Sequence, residues 1–238
     1  MSQIQINSNN KSSNSFIFNG KEYVVPFPVI NFNDKQRGMS FHTPSLEDHW
    51  DERTDKSGSK INTIVLHWDV ATSSSQCFQV LVNRGLSVHL MIDRDGTVYQ
   101  ALDLVKRAWQ ARGVNDQSIG IEINNQFYIN RQDPNWPRQE IYSRDPRSGI
   151  PYKHLDFTEI QKTRVVQVVE ALCNIVTTIP RKLPPKGSDG KIITRLLDKN
   201  EVKGVVGHFN TSVEKIDPGD SLWPLLYDSF SKPPPYNF

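Results

Sequence analysis

The sequence predicts an α/β (α+β) domain in which helices pack against a central β-sheet, and three segments carry that expectation. The first is a β-α-β-β run. An apolar strand from Ile61 to His67 leads to a helix from about Ser74 to Arg84 and a strand from Ser87 to Ile92, and an Asp95-Gly96 turn returns the chain as Thr97 to Leu102. The second is Ser118-Ile119-Gly120-Ile121-Glu122-Ile123, so nearly continuous in apolar character that it belongs in the middle of the sheet. The third is Thr158-Glu159-Ile160-Gln161, a capping-box pattern. It is followed by Ile160, Val165, Val168, Val169, Leu172, Ile175 and Val176 at helical spacing, which describes a long helix packed on that sheet.

The remaining elements follow in chain order. Residues 1–15 are rich in Ser, Asn and Gln, have little to bury, and read as a mobile tail. In Phe16 to Val25 an Asn19-Gly20 pair separates two β-prone runs, the strongest short-range signal for a hairpin, and Pro26 and Pro28 end it. The polar stretch 33–60 reads as a wrapping segment, so 1–60 is expected to be an N-terminal extension to a main domain at 61–230, with a short tail at 231–238. Two insertions interrupt that domain: 125–155, which contains Trp136, and a Pro-rich loop near 180–200 that precedes a last strand, Val202 to His208.

Composition excludes several classes. At 238 residues the chain supports one sizeable core, and 28 Lys+Arg against 26 Asp+Glu leaves a net charge of only +2, which makes no case for nucleic acid. No apolar stretch approaches the ~20 residues that span a bilayer, and residues 1–11 carry no pattern of a secretory signal, so synthesis in the cytoplasm is expected. Cys77 and Cys173 sit in apolar helical segments without metal-like spacing and read as buried thiols.

Chemistry concentrates at the ends of two apolar runs. His67 closes Ile64-Val65-Leu66, His208 closes Val205-Val206-Gly207, and Asp217 follows in the turn sequence Lys215-Ile216-Asp217-Pro218-Gly219. Two imidazoles and a carboxylate form a zinc ligand set that leaves a fourth position for water, the arrangement of a catalytic rather than a structural zinc. Strand ends that meet at one edge of a sheet bring such distant residues together.

The segments Thr63 to Trp68, Ser87 to Gln100, Arg107-Ala108-Trp109, Asn115 to Glu122, Gly207-His208 and Lys215 to Gly219 together resemble the zinc-dependent N-acetylmuramoyl-L-alanine amidases, the family that includes phage lysozyme-type amidases and peptidoglycan recognition proteins. The resemblance covers most of the core. It implies a mixed sheet flanked by helices and one Zn2+ per chain held by His67, His208 and Asp217. It also implies a groove for a glycan-peptide strand of peptidoglycan or for muropeptides. Glu122 corresponds to the family's proton-accepting glutamate, and Lys215 to the lysine that stabilises the developing oxyanion. His89 corresponds to a histidine beside the groove, open to either a structural hydrogen bond or substrate contact.

One departure stands out. Relatives often read Ala-Trp-His-Ala-Gly where this chain has Ala108-Trp109-Gln110-Ala111-Arg112-Gly113, so Gln110 and Arg112 are expected to serve as donors to substrate. Trp109 reads either as a stacking platform for a sugar or as a core residue. The expected protein is a monomeric lytic cell wall hydrolase acting at the wall after release or delivery. An amidase of muropeptide recycling and a non-catalytic recognition module are the alternatives.

Overall fold

A computed structural model of the chain describes residues 14–236. The tail expected at 1–15 and the end of the 231–238 tail lie almost wholly or partly outside these residues. The hairpin forms as the Asn19-Gly20 signal predicts: β1 (Ser15–Phe18) pairs antiparallel with β2 (Lys21–Val24), and both turn residues take positive φ, 52° and 72°. β3 (Val29–Asn31) follows, then a 3-10 turn at Pro44–His49 and the short β4 (Trp50–Asp51). The β-α-β-β run appears as β5 (Thr63–Trp68), α1 (Ser74–Asn83), β6 (Leu90–Ile92) and β7 (Val98–Gln100). β8 (Arg107–Ala108) and β9 (Ser118–Ile123) come next, then β10 (Glu140–Arg144), β11 (Pro151–Leu155), α2 (Glu159–Ile175), β12 (Gly204–Gly207) and α3 (Trp223–Phe230).

Six strands form one mixed sheet in the order β12-β5-β9-β6-β7-β3. Pairing is parallel throughout except between β6 and β7, where the Asp95-Gly96 turn reverses the chain. Helices cover both faces, and strand alternation decides which residue meets which layer. Ile64, Leu66, Leu90, Ile92, Ile119, Ile121 and Ile123 pack with α2 and α3 through Val165, Val168, Val169, Leu172 and Leu226. On the other face Met91 packs with Cys77, Phe78 and Leu81 of α1. β5 is buried along its whole length, as a strand covered on both sides must be. β9 alternates instead: its isoleucines face α2, while Ser118, Gly120 and Glu122 share the opposite face.

Two expectations are corrected. No seam falls at residue 60, because β3 is the outer strand of the main sheet and Phe16, Val25, Phe27 and Val29 belong to its core. Gln100 ties the hairpin down, accepting from Ile17 N and donating to Ile17 O at 2.7 Å each. The insertion at 125–155 is not a bare loop; it folds into the hairpin β10/β11, whose exposed Tyr142 and buried Ser143 and His154 alternate as on any strand covered on one side. α3 was missed from the sequence because it is only eight residues long, and Trp223 and Leu226 bury into the core from it. Both cysteines are buried free thiols, and burial pushes the Cys173 thiol up to about 12. Among the described residues no helix is long and apolar enough to cross a membrane.

The long helix begins where its capping box places it. Thr158 Oγ1 accepts from Gln161 N at 3.2 Å, Gln161 Oε1 accepts from Thr158 N at 3.0 Å, and the same threonine hydroxyl donates to Arg94 O at 2.8 Å. Thr158→Ala is expected to destabilise the domain by about 1–2 kcal/mol, seen as a lower urea midpoint with an unchanged m-value.

Candidate active site and metal centre

The parallel pairing of β12, β5 and β9 builds the site. His67 and Glu122 are cross-strand partners in the β5–β9 register, so their side chains emerge side by side on the α1 face near the strands' carboxyl ends. On the other side Gly207 pairs with Leu66, which puts His208, the next residue, beside His67. A 3-10 turn at His208–Asn210 then redirects the chain, and Phe209 N donates to Asp217 O, which draws the Lys215–Gly219 loop back over the strand end.

Three donor atoms meet there. His67 Nδ1 lies 2.9 Å from His208 Nδ1, His208 Nδ1 lies 3.0 Å from Asp217 Oδ2, and His67 Nδ1 lies 3.5 Å from the same oxygen. Ligands around a tetrahedral zinc with bonds of roughly 2.0–2.2 Å sit about 3.3 Å apart, so this triangle has the dimensions of one face of such a site. All three residues are buried, and among the described residues they are the group of His, Cys, Asp or Glu side chains placed to hold a metal ion.

Their electrostatics suit the role. Burial opposes ionisation of Asp217, but hydrogen bonds with His208 and His67 outweigh it and hold the carboxyl well below the ordinary range, as an anion. Burial and the neighbouring His67 push His208 down to about 4, so its imidazole is neutral and carries a free lone pair near neutrality. For His67 burial also opposes protonation, but Glu122 and Asp217 attract the proton more strongly and its pKa rises. A divalent cation in the corner would replace that proton and relieve the contact between two ring nitrogens.

Glu122 lines the open cleft beside these donors. Its Oε2 is buried without a hydrogen-bond partner among the described residues, and burial, reinforced by Asp217, raises its pKa against the pull of His67 and Lys215. A carboxyl shifted in this direction holds a proton more readily than an ordinary carboxylate does. Lys215 lines the same cleft and forms no ion pair among the described residues, which leaves its charge available to a ligand. Trp109 is a cleft wall rather than a core residue: it is half-buried, and its indole Nε1 donates to Asp51 Oδ2 at 2.8 Å.

Several expected residues lie elsewhere or act differently. His89 is fully buried beside the start of β6, where Nδ1 accepts from Gly120 N and Nε2 bonds Lys106 O, both at 3.0 Å; the structural role is the one the geometry gives it. Arg112 is exposed and outside the cleft lining. Gln110 does line the cleft, but its carbonyl lies 2.5 Å from His67 Nε2 and its amide nitrogen donates to Ser118 Oγ at 2.7 Å, so it is already engaged within the protein.

Sequence reasoning missed Asp69, whose carboxyl lines the cleft with Glu122 and accepts from Ala71 N and Asn124 Nδ2. Burial and the nearby Glu122 raise its pKa well above the ordinary carboxylate value. Its place two residues after His67, just past the end of β5, was the available signal.

A family model described as N-acetylmuramoyl-L-alanine amidase matches residues 57–220. The chain belongs to this amidase family. Among curated proteins none matches it in sequence. Among solved structures the endolysin amidase LysCS from Clostridium intestinale is 16% identical over 88% of this chain and 98% of its own, with a TM-score of 0.52, and so shares the fold. A selenomethionine derivative of AmpD is 21% identical over 82% of this chain and 94% of its own, at TM-score 0.47. An ectodomain complex of the peptidoglycan recognition proteins LCa and LCx with tracheal cytotoxin is 14% identical over 84% and 95%, also at 0.47.

The burial of His89 makes a sharp pH prediction for this amidase. Burial, with Arg53 nearby, depresses its pKa to about 3, so the folded chain binds this proton less readily than the unfolded chain does. Its contribution to stability is therefore complete above the unfolded value of 6.5 and declines as pH falls from there toward 3. A 15N ring titration should show His89 neutral until about pH 3; protonation near 6.5 would contradict the buried, doubly bonded ring.

Proposed function

We propose that this chain hydrolyses the amide bond between the lactyl group of N-acetylmuramic acid and L-alanine in peptidoglycan, with one zinc ion held by His67 Nδ1, His208 Nδ1 and Asp217 Oδ2. The observation that carries the reading is the convergence of these three atoms at 2.9–3.5 Å, beside Glu122, the β5–β9 register partner of His67, in the lining of the cleft. When bound, zinc supplies Lewis-acid polarisation of the scissile carbonyl and a water acidified toward neutrality.

The chain's own groups do the rest. Glu122 takes the proton from the attacking water and returns it to the amine of L-alanine as the bond breaks. Its raised pKa makes it a stronger proton acceptor than an ordinary carboxylate. Lys215 faces the negative charge that develops on the carbonyl oxygen, an interaction stronger in the transition state than in the ground state. Trp109, pinned by Asp51, and the exposed Val70 and Val80 line the same cleft and offer apolar surface to the substrate. A lytic cell wall hydrolase is the setting we favour.

Glu122→Gln is expected to retain one zinc per chain by elemental analysis and to lose about 10²–10⁴-fold in the release of stem peptide from purified sacculi. Unchanged turnover would remove Glu122 from the proton-transfer role. Chelation should abolish activity in the unaltered chain and added zinc should restore it, and faster cleavage of soluble muropeptides than of sacculi would favour the recycling role instead.

A further inference from the structure

We propose that Gln110 is the positioning residue of the metal corner: its side-chain carbonyl accepts the His67 Nε2 proton, which turns the Nδ1 lone pair toward His208 and Asp217, and Gly120 is the residue that makes room for it. The inference rests on the metal reading above and assigns to Gln110 a role toward His67 rather than toward substrate.

The geometry is specific. Gln110 Oε1 stands 2.5 Å from His67 Nε2, the ring nitrogen that faces away from the corner, while Nδ1 points into it at 2.9 Å from His208 Nδ1. The other end of the amide is held by Ser118 Oγ at 2.7 Å, and the loop that carries Gln110 is anchored where Asn115 Oδ1 accepts from Gln110 N at 3.3 Å and from Ala111 N at 2.8 Å. A ring whose Nε2 proton is fixed in this way has one tautomer, with Nδ1 unprotonated and able to coordinate. A carboxamide carbonyl accepts that proton without ever taking it over, so it adds no charge beside the corner. The opposite amide orientation would set an NH2 against Nε2 and send the ring proton into the corner, where it would occupy the coordinating lone pair.

Gly120 supplies an independent observation. It lies in mid-strand in β9, and its backbone conformation is open to any residue, so no turn calls for glycine there. Packing does: a Cβ at this position would meet Cγ and Cδ of Gln110 at 2.8 Å. The missing side chain on the central strand is the space the Gln110 side chain occupies on its way to His67.

The test measures zinc affinity by chelator competition in the full chain and reads the His67 tautomer by 15N ring spectroscopy of the zinc-free protein above the His67 pKa. The unaltered chain should bind one zinc and show His67 protonated at Nε2. Gln110→Leu should weaken zinc binding about 10- to 100-fold with an unchanged urea midpoint, Gln110→Glu should restore most of the affinity, and Gly120→Ala should behave like Gln110→Leu. Gly120→Ala should add little in a Gln110→Ala background, because the collision is then gone. Wild-type zinc affinity in Gln110→Leu, or an Nδ1-protonated His67 in the unaltered chain, would overturn the role of Gln110 alone. Failure of the unaltered chain to bind zinc would instead bring down the metal reading and this role with it.

Discussion

The lateral register of three parallel strands is the constraint on which the site depends. β12, β5 and β9 run the same way, so their carboxyl ends reach one edge together, and pairing Gly207 with Leu66 and His67 with Glu122 puts two imidazoles and a carboxylate in one row. A slip of one residue along β5 would turn His67 to the α2 face and Leu66 to the cleft. The apolar layer prevents that slip. Ile64 and Leu66 are wholly buried against α2 and α3, and exposing either would forfeit about 1.5–3 kcal/mol of burial. The core thus fixes the chemistry by fixing the register.

Around that row the protein accumulates charge it cannot fully neutralise by itself. Glu122 and Asp69 are both raised, each partly by the other or by Asp217, while two histidine nitrogens are pressed together at 2.9 Å. Such an arrangement is costly in a folded core unless a cation joins it, because like groups in low dielectric repel and unpartnered polar atoms lose their hydration. Lys215 and the exposed Arg84 at the cleft rim offset part of the negative charge from a distance. The cost is held locally by segments far away in sequence. Ser143 Oγ accepts from Asp220 N at 2.9 Å and contacts His154 Nε2 at 2.8 Å, so the β10/β11 hairpin grips the loop that carries Asp217. A Cβ on Gly219 would lie 2.9 Å from that same hydroxyl, a measure of how closely hairpin and loop approach.

The N-terminal segment joins the site just as closely. Asp51 of β4 fixes Trp109 and pairs with Arg107, so a residue that the sequence places in a wrapping arm orients one wall of the cleft. The hairpin at 15–24, β3 and the main sheet share one core, and the domain is continuous from residue 15 through α3.

What the sequence determined by itself is what local rules govern. The Asn19-Gly20 and Asp95-Gly96 turns, the Thr158 capping box, the central strand at Ser118–Ile123 and the grouping of His67, His208 and Asp217 were legible, because a turn needs its positive φ, a helix start needs its cap, and imidazoles and a carboxylate have recognisable donor chemistry; Glu122 and Lys215 stood out only through the family resemblance. Only the tertiary structure decided that His89 is turned inward, that Gln110 faces a histidine instead of substrate, that Arg112 lies off the cleft, that Asp69 joins it, and that the two flanking segments brace it. Those are relations between residues tens of positions apart. They are settled by which strands lie side by side and which face each side chain takes, a competition among long-range packings that no local pattern encodes.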